Sequence, residues 1–222
     1  MELTSIEERI LDVRQSLPPG VELVAVSKTR SAEEVKEAMG VGQVDFGENR
    51  VQELVEKAAD LPATLRWHQI GTLQRNKVKQ VVPFVHLIHS VDSLPLLEEI
   101  SKKAVACGRE VSVLMQVHVA LEETKHGFTP DELRAFCDAE PDHPGVRIAG
   151  IMGMASNTDS RSLVLHEFQK LRAIYEELGD SCDASWKTLS MGMSSDWRLA
   201  VDCGSTLVRV GSAIFGSRDE QE

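Results

Sequence analysis

Eight short strand-like segments alternate with segments of helical periodicity along the whole chain, and this alternation limits the possible folds more than any other feature. A strand followed by a helix and a further strand forms a parallel βαβ unit, so the pattern predicts an α/β fold with a parallel sheet. Eight is also the number of strands that closes such a sheet into a barrel. The predicted strands are 21–28, 44–48, 66–71, 86–91, 111–118, 146–153, 188–193 and 206–211.

The predicted helices have recognisable starts. Residues 31–34, Ser-Ala-Glu-Glu, and residues 129–132, Thr-Pro-Asp-Glu, are both typical of a capping box. Gly40 suits the C-terminal cap of the first of these two helices. Residues 161–178 carry apolar side chains at helical spacing, which predicts an amphipathic helix with one buried stripe. Residues 4–16 predict one further helix ahead of the first strand.

The length of the chain favours a single domain. Its 222 residues are slightly fewer than the roughly 250 that are typical of an eight-stranded α/β barrel, which leaves little room for a second domain. We therefore predict one (β/α)8 barrel of the TIM type over residues 1–222, with the additional helix at its N-terminus. A doubly wound open sheet is the alternative, but no Gly-x-Gly-x-x-Gly motif follows the first strand.

Composition restricts the partners. A formal net charge of −11 argues against nucleic acid or an anionic membrane as the main partner. No apolar run is long enough to span a bilayer, and residues 1–8 lack the features of a signal peptide. The four cysteines form no Cys-x-x-Cys, which is typical of free cytosolic thiols and predicts neither disulfides nor a zinc site. With no apolar heptad visible, we expect a cytoplasmic monomer without a metal.

Lys28 ends the first apolar run, after Val24 and Val26. Because alternate residues of a strand share a face, this lysine lies in line with two buried valines at the mouth of the strand. Desolvation at such a position lowers the pKa of an amine and makes it nucleophilic. A surface lysine whose stem crosses the strand end is the alternative.

Glycine and serine residues follow the last two predicted strands. In an eight-stranded α/β barrel, phosphate groups often bind there, because glycine permits close backbone approach and a helix N-terminus supplies N–H donors. We expect one helix to start near Ser194, and Ser212 follows Gly211 directly. Each serine alone could be an ordinary helix cap, but two such ends on neighbouring strands favour a phosphate site.

Arg209 shares one face of the last strand with Leu207 and Gly211. Both faces of a parallel barrel strand are largely buried, so this guanidinium needs a partner. The partner is either an inward-facing Asp or Glu in an ion pair or an acceptor atom of a ligand at the top of the barrel.

Barrel closure brings these residues together. The eighth strand lies beside the first, so Lys28 is expected next to Arg209 and Gly211, and Asn49 follows the second strand on the other side of Lys28. A primary amine, an arginine, an amide and a phosphate cradle then form one continuous arc. A phosphorylated aldehyde uses all four, because the amine can form a Schiff base while the cradle holds the phosphate.

Several stretches of the chain are similar to one known family: residues 24–29, 46–49, 67–71, 189–194 and 204–216. Together they resemble the pyridoxal phosphate homeostasis proteins, which are single-barrel relatives of the alanine racemase N-terminal domain. The resemblance extends from about Val21 to Arg218. It implies a fold-type III barrel that holds pyridoxal 5′-phosphate as an internal aldimine on Lys28.

The resemblance implies roles for further residues. Arg209 matches the arginine that faces the pyridine nitrogen, and Asn49 lies near the ring oxygen of the cofactor. The residues that fall in the phosphate-binding stretches are Ser190, Ser194, Gly211 and Ser212.

Three features of the chain qualify the resemblance. Gln69 stands where the family usually has an aromatic residue, and Ser212 stands where threonine is common; the serine keeps the hydroxyl. Residues 122–128 also resemble a family loop. We expect Lys125 in that loop to be an ordinary exposed lysine, with a regulatory role as the alternative.

Two other pairs of residues carry weaker signals. His86 and His89 are three positions apart, which in a strand predicts opposite faces and therefore no shared metal. Trp67 and His68 can either line the pocket or fill the barrel, and the sequence leaves both possibilities open.

The sequence predicts no catalytic residue. A racemase needs a base on each face of its substrate; Lys28 could serve one face, but the only tyrosine, Tyr175, lies on a helix of the outer layer. Arg209 at the ring nitrogen would disfavour its protonation and weaken the electron sink. A Schiff-base lyase needs a further acid or base, for which Glu48 or Asp92 could be argued. We therefore expect a carrier or regulator in pyridoxal phosphate homeostasis, with apo-enzymes that use the cofactor as its partners. A racemase and a lyase are the alternatives.

Overall fold

Parallel strands pair in chain order and close into an eight-stranded barrel, because the last strand pairs back with the first. This confirms the predicted (β/α)8 fold, and each strand lies within its predicted range. The computed structural model describes residues 5–120, 126–139, 142–179 and 185–216. The strands are β1 (Glu22–Val26), β2 (Asp45–Glu48), β3 (Arg66–Gln69), β4 (Leu87–Val91), β5 (Val111–Gln116), β6 (Val146–Met152), β7 (Thr188–Ser190) and β8 (Leu207–Val210).

Helices follow the strands around the outside of the barrel. They are α1 (Ile6–Gln15), α2 (Ala32–Gly40), α3 (Val51–Asp60), α4 (Val78–Val81), α5 (Leu94–Ala106), α6 (Pro130–Asp138), α7 (Arg161–Gly179), α8 (Trp197–Asp202) and α9 (Ser212–Phe215), with a 3₁₀ turn at Arg75–Lys77. The helix α1 precedes β1 and confirms the predicted N-terminal addition. Within the described ranges, no helix combines the length and the apolar content that a bilayer span requires.

Both predicted capping boxes are present. The hydroxyl of Ser31 accepts a hydrogen bond from the Glu34 amide at 3.2 Å, and the Glu34 carboxylate accepts one from the Ser31 amide at 2.8 Å. Thr129 and Glu132 form the same pair at the start of α6. The predicted C-terminal cap at Gly40 is wrong, because Gly40 is still helical and the left-handed residue is Gly42, with φ of 76°. A Cβ at position 40 would lie 2.7 Å from Oε1 of Glu7, the flexible end of a side chain on α1.

The inside of the barrel has an apolar part and a polar part. The apolar side chains form one cluster: Val24, Leu87, Leu114, Met152 and Leu207. The buried polar side chains that face inward include Asp45, His68, His89, Gln116, Ser190 and Arg209. Trp67 instead belongs to the larger core between strands and helices. The alternative that the sequence left open is thereby answered: His68 fills the barrel, whereas Trp67 packs outward.

The long helix α7 contributes a stripe of apolar side chains to the outer core, as predicted. Its buried residues include Val164, Phe168, Leu171 and Leu178, whereas Tyr175 is only partly buried. The Tyr175 ring stacks on Trp186, with 5.8 Å between the ring centroids. Tyr175 therefore lies in the outer layer of the molecule.

A buried ion pair attaches α3 to the ends of β1 and β2. Oε1 of Glu48, which is fully buried, accepts hydrogen bonds from Lys57 Nζ and from Ser27 Oγ, both at 2.7 Å. Lys57 Nζ also donates to the carbonyl of Ser27 at 2.6 Å. Burial raises the pKa of Glu48 above its usual value, and Lys57 opposes that shift. This contact fixes the residue that directly precedes Lys28.

We predict that Lys57→Met destabilises the protein by about 3–5 kcal/mol at pH 7, because it leaves the Glu48 carboxylate buried without its cation. Removal of the cation raises the pKa of Glu48 further, so the folded state binds its proton more tightly than the unfolded state. The loss of stability is therefore greatest above the raised pKa and shrinks as the pH falls. Urea unfolding at pH 7.5 and pH 5.5 measures both effects. The double variant Lys57→Met/Glu48→Gln is the control, and an equal loss at both pH values would contradict the assignment.

Candidate functional site

A cavity of about 590 Å³ opens at the C-terminal ends of the strands, a volume suited to a small-molecule ligand. Six of the seven predicted site residues line it: Lys28, Asn49, Ser194, Arg209, Gly211 and Ser212. Residues that the sequence analysis missed also line it: Val26, Thr29, Arg30, Ile70, Gly71, Thr72, Gln116, Met154, Met193, Ser195 and Gly216. Most of them follow directly on a barrel strand, which is the signal that could have found them.

Lys28 lies just beyond the strand and not within it, because β1 ends at Val26. The alternation nevertheless continues, since Val24 faces the barrel interior while Val26 and Lys28 line the cavity. The chain turns away at Thr29, whose φ of 64° is in the left-handed region. The Thr29 amide donates to Oε2 of Glu53 at 2.8 Å. Lys28 is thus held between two anchored neighbours, and its lowered pKa stays a prediction.

Arg209 forms part of the cavity wall although only 4% of its surface is exposed. Its Nη1 donates to the carbonyl oxygen of Ser190 at 3.0 Å and to Oγ of the same residue. Its Nη2 donates to the carbonyl of Gly153 at 3.2 Å. Burial lowers the pKa of Arg209 to about 10, so the group remains a cation at neutral pH. Within the described residues Arg209 forms no salt bridge, and its acceptors there belong to Ser190 and Gly153; contact between Arg209 and a ligand stays a prediction.

Two backbone amides after β8 point to one hydroxyl. The amides of Gly211 and Ala213 donate to Oγ of Ser194, at 3.0 and 3.4 Å. A Cβ at position 211 would lie 3.2 Å from the Cβ of Val26, so only glycine fits here without displacing the cavity wall. The polar rim of the cavity at this point therefore consists of hydroxyl and amide groups.

The predicted helix start near Ser194 is wrong by about one turn. The helix α8 begins at Trp197, and residues 194–196 form a turn. The cause is Asp196, whose carboxylate accepts a hydrogen bond from the Met193 amide at 2.6 Å and so closes the chain before the helix starts.

Ser190 lies behind Arg209 and not beside the other predicted phosphate ligands. It is fully buried in β7. Its Oγ accepts from Arg209 and lies 3.1 Å from Nδ1 of His89. The arrangement gives no support to direct contact between Ser190 and a phosphate in the cavity; it makes Ser190 a support for the guanidinium.

Gln69 ties the ends of β2 and β3 together. Its Nε2 donates to the carbonyl oxygens of Asn49 and Gly71, at 3.1 and 2.9 Å. The Gly71 carbonyl accepts a further hydrogen bond from Oγ of Ser90 at 2.6 Å. The side-chain amide of Gln69, at the position where an aromatic residue is usual, thus fixes the loop that carries Asn49.

The ionisable side chains of the described cavity lining are all cations: Lys28, Arg30 and Arg209. Glu48, considered above for lyase chemistry, is instead committed to Lys57 and Ser27. Asp92, the other candidate, accepts a hydrogen bond from Ser93 Oγ at 3.0 Å and does not line this cavity. Lys125 lies outside the described residues. The cavity is therefore built to bind an anion and offers a primary amine.

The family model of the alanine racemase N-terminal domain matches residues 1–219. The chain belongs to this family. A member of the family from Pseudomonas aeruginosa, named pyridoxal phosphate homeostasis protein, is 37% identical over 221 residues, which cover 98% of this chain and 94% of that protein.

Solved structures support the family assignment. PipY from Synechococcus elongatus without pyridoxal phosphate superposes with a TM-score of 0.90 at 40% identity, over 96% of this chain and 100% of PipY. PipY with bound pyridoxal phosphate gives 0.87 at 39% identity over the same shares of the two chains. Alanine racemase from E. faecalis is 19% identical and gives 0.70 over 96% of this chain and 58% of its own, which shows the shared fold.

We predict that Gly71→Ala destabilises the protein by about 1–3 kcal/mol, because a Cβ there would lie 2.8 Å from the backbone Cα of Asn49 and would force the two loops apart. The free energy of unfolding in urea measures the effect. Gly40→Ala is the matched control, since its Cβ would meet only the flexible end of Glu7. Equal losses in the two variants would argue against a close contact between the loops.

Proposed function

We propose that this protein binds pyridoxal 5′-phosphate through a Schiff base with Lys28 and acts in intracellular pyridoxal phosphate homeostasis as a carrier or regulator. One observation carries the proposal: the ionisable groups of the described cavity lining are a lysine and two arginines, and hydroxyl and amide donors surround them. A phosphorylated aldehyde satisfies this set, because it brings both an anion and a carbonyl group. Two similar proteins support the proposal: the relative from Pseudomonas aeruginosa is named pyridoxal phosphate homeostasis protein, and PipY has been solved with bound pyridoxal phosphate.

The residues fit the cofactor group by group. When bound, pyridoxal phosphate supplies an aldehyde for an amine and an aromatic ring that can withdraw electrons. Lys28 presents the amine, and Ser194 and Ser212 present hydroxyl groups for the phosphate; Gly211 lines the cavity beside them and holds the Ser194 hydroxyl with its amide. Arg209 presents a fixed cation at the cavity wall.

A carrier explains the site better than a racemase or a lyase. A guanidinium disfavours protonation of a nearby ring nitrogen and so weakens the electron sink on which either reaction depends. A second base facing Lys28 is also needed for racemisation, yet Tyr175 stacks on Trp186 in the outer layer. We further propose that the protein works in the cytoplasm as a monomer and delivers the cofactor to apo-enzymes. The free thiols of Cys107 and Cys203 are typical of that reducing compartment.

The decisive experiment is an absorption spectrum of the loaded protein before and after borohydride, followed by peptide mapping. Wild-type protein should be yellow and should carry the reduced pyridoxyl group on Lys28. Lys28→Ala should lose the covalent cofactor and remain folded by circular dichroism, because loss of a half-buried side chain at the barrel mouth opens no core cavity. Lys79→Ala, which removes an exposed lysine outside the cavity, is the control. A colourless wild-type protein, or a label that persists in Lys28→Ala, would refute the proposal, and robust amino-acid turnover would replace it with the racemase or lyase.

We also predict that Ser212→Ala weakens binding of pyridoxal phosphate by about 0.5–1.5 kcal/mol, the usual net contribution of one hydrogen bond. Equilibrium titration followed by fluorescence or absorbance gives the dissociation constant. Ser185→Ala is the control, since that serine precedes β7 at the other end of the barrel and donates to the Ile148 carbonyl at 2.8 Å. A dissociation constant that is the same in wild type and Ser212→Ala would remove Ser212 from the site.

A further inference from the structure

A continuous chain of buried polar side chains crosses the barrel interior and ends at Arg209. Oδ1 of Asp45 lies 3.0 Å from Nε2 of His68, and Nδ1 of His68 lies 3.0 Å from Nε2 of His89. Nδ1 of His89 lies 3.1 Å from Oγ of Ser190, which accepts a hydrogen bond from Arg209. Each of the five is buried, and each comes from a different strand. The sequence does not predict these hydrogen bonds, because the residues that form them are far apart along the polypeptide.

A guanidinium can only donate, so the Ser190 hydroxyl accepts from Arg209. With both rings neutral, the Asp45 carboxylate fixes the remaining directions. His68 then donates from Nε2 to Asp45, His89 donates from Nε2 to Nδ1 of His68, and the Ser190 hydroxyl donates to Nδ1 of His89. An imidazolium at His68 would reverse the two contacts of His89, so the tautomers distinguish the two arrangements.

The charges around the chain agree with this assignment. Burial lowers the pKa of His89 well below its usual value, which agrees with a neutral ring. Burial alone would raise the pKa of Asp45, but hydrogen bonds from His68 and Arg66 outweigh it and keep the pKa below its usual value. In the arrangement that we infer, the hydrogen-bond chain runs from the Arg209 cation to the Asp45 anion through two neutral rings.

The hydrogen bonds of Arg209 to Ser190 and Gly153 also determine which of its N–H donors remain for a ligand. The three hydrogen bonds to Ser190 and Gly153 use three of its five N–H groups, two on Nη1 and one on Nη2. Nε–H and one hydrogen on Nη2 remain. Because the guanidinium is planar, fixing Nη1 on Ser190 also fixes the direction of these two donors.

We propose that His68 and His89 are positioning residues, which hold the Arg209 guanidinium through Ser190 and connect it to the charge of Asp45 at the opposite end of the barrel. The effect on a ligand rests on the function proposed above, in which Arg209 faces the ring nitrogen of pyridoxal phosphate. The proton assignment does not depend on that function and can be tested without a ligand.

A metal site is the competing interpretation of the same residues. Ligating atoms of Asp45, His68 and His86 lie within 4.8 Å of one another. His86 precedes the first residue of β4, so the rule of strand alternation does not apply to it and the predicted opposite faces of His86 and His89 stay a prediction. Both rings lie within 5.3 Å of the His68 ring. Two contacts favour the hydrogen-bond chain over a metal: His68 donates to one oxygen of Asp45, and Arg66 pairs with the other.

The first test is nitrogen-15 NMR of the ligand-free protein with labelled histidine. Long-range correlations distinguish the two neutral tautomers from the imidazolium, and variants assign the signals. We expect Nε2–H tautomers for both His68 and His89 at pH 7, unchanged when zinc is added. An Nδ1–H tautomer or an imidazolium at either ring would overturn the proposal, as would a zinc-induced change at His68, which would instead show a metal site.

The second test interrupts the hydrogen-bond chain at His89, its central residue. His89→Leu should raise the dissociation constant of pyridoxal phosphate about fivefold, because Ser190 loses a hydrogen bond and no longer holds Arg209 in place, and should shift the visible absorption of the bound form. His89→Gln should restore both properties, because its amide can accept from Ser190 and donate to His68. Leu87→Ala is the matched control: its inward-facing side chain lies on the same strand, so it should lower stability without shifting the absorption.

The outcomes separate the proposal from the function on which it rests. If wild-type protein binds no pyridoxal phosphate, the proposed function is refuted. The histidine tautomers measured by NMR still show whether the hydrogen-bond chain has the proposed arrangement. If His89→Leu lowers stability but leaves the dissociation constant and the absorption unchanged, the histidines are structural and the proposal is overturned. If His89→Leu does not fold, the same two measurements are made on Asp45→Asn, which removes the charge at the end of the hydrogen-bond chain at almost constant volume. A dissociation constant and a visible spectrum equal to those of wild type in Asp45→Asn would also overturn the proposal.

Discussion

The pairing of β8 with β1 is the constraint on which the site depends. Val24 lies beside Arg209 in this pairing, and Ala25 lies beside Val210. A shift of one residue would turn Arg209 into the outer core and Val210 into the barrel, because alternate residues of a strand face opposite sides. Barrel closure in this register therefore does two things at once: it buries the guanidinium and brings it to the cavity wall that Lys28 shares.

Local arrangement outweighs net charge in this molecule. The chain carries a formal charge of −11, yet the ionisable groups of the described cavity lining are cations. The carboxylates near the barrel are directed elsewhere, Glu48 to Lys57 on α3 and Asp45 to Arg66 at the far end of the barrel. The described lining of the cavity therefore presents cations to an anionic ligand in an otherwise acidic protein, although Arg30 also pairs with Glu34 at 3.3 Å.

The fold and most of the cavity could be predicted from the sequence, because both follow from periodicity and from the position of residues at strand ends. Lys28, Asn49 and Gly211 are examples, since each follows a recognisable strand. The support beneath the cavity could not be predicted. The contact between His89 and Ser190 joins residues 101 positions apart, and it depends on which side chains meet inside the closed barrel. Strand alternation places each residue inside but does not say which inward-facing neighbour it touches.

The buried histidines also bear on the proposal that this protein binds its cofactor without catalysing a reaction on it. A neutral imidazole near a cofactor is a candidate base, and this barrel contains two of them below Arg209. In the arrangement that we infer, however, both nitrogens of each ring are engaged in hydrogen bonds, one accepting and the other donating. The groups that could have served acid–base chemistry instead maintain a cation at the cavity wall. Under the function that we propose, such a site fixes its ligand in place, because the described lining of the cavity offers Lys28 but no carboxylate, histidine or tyrosine as a second base.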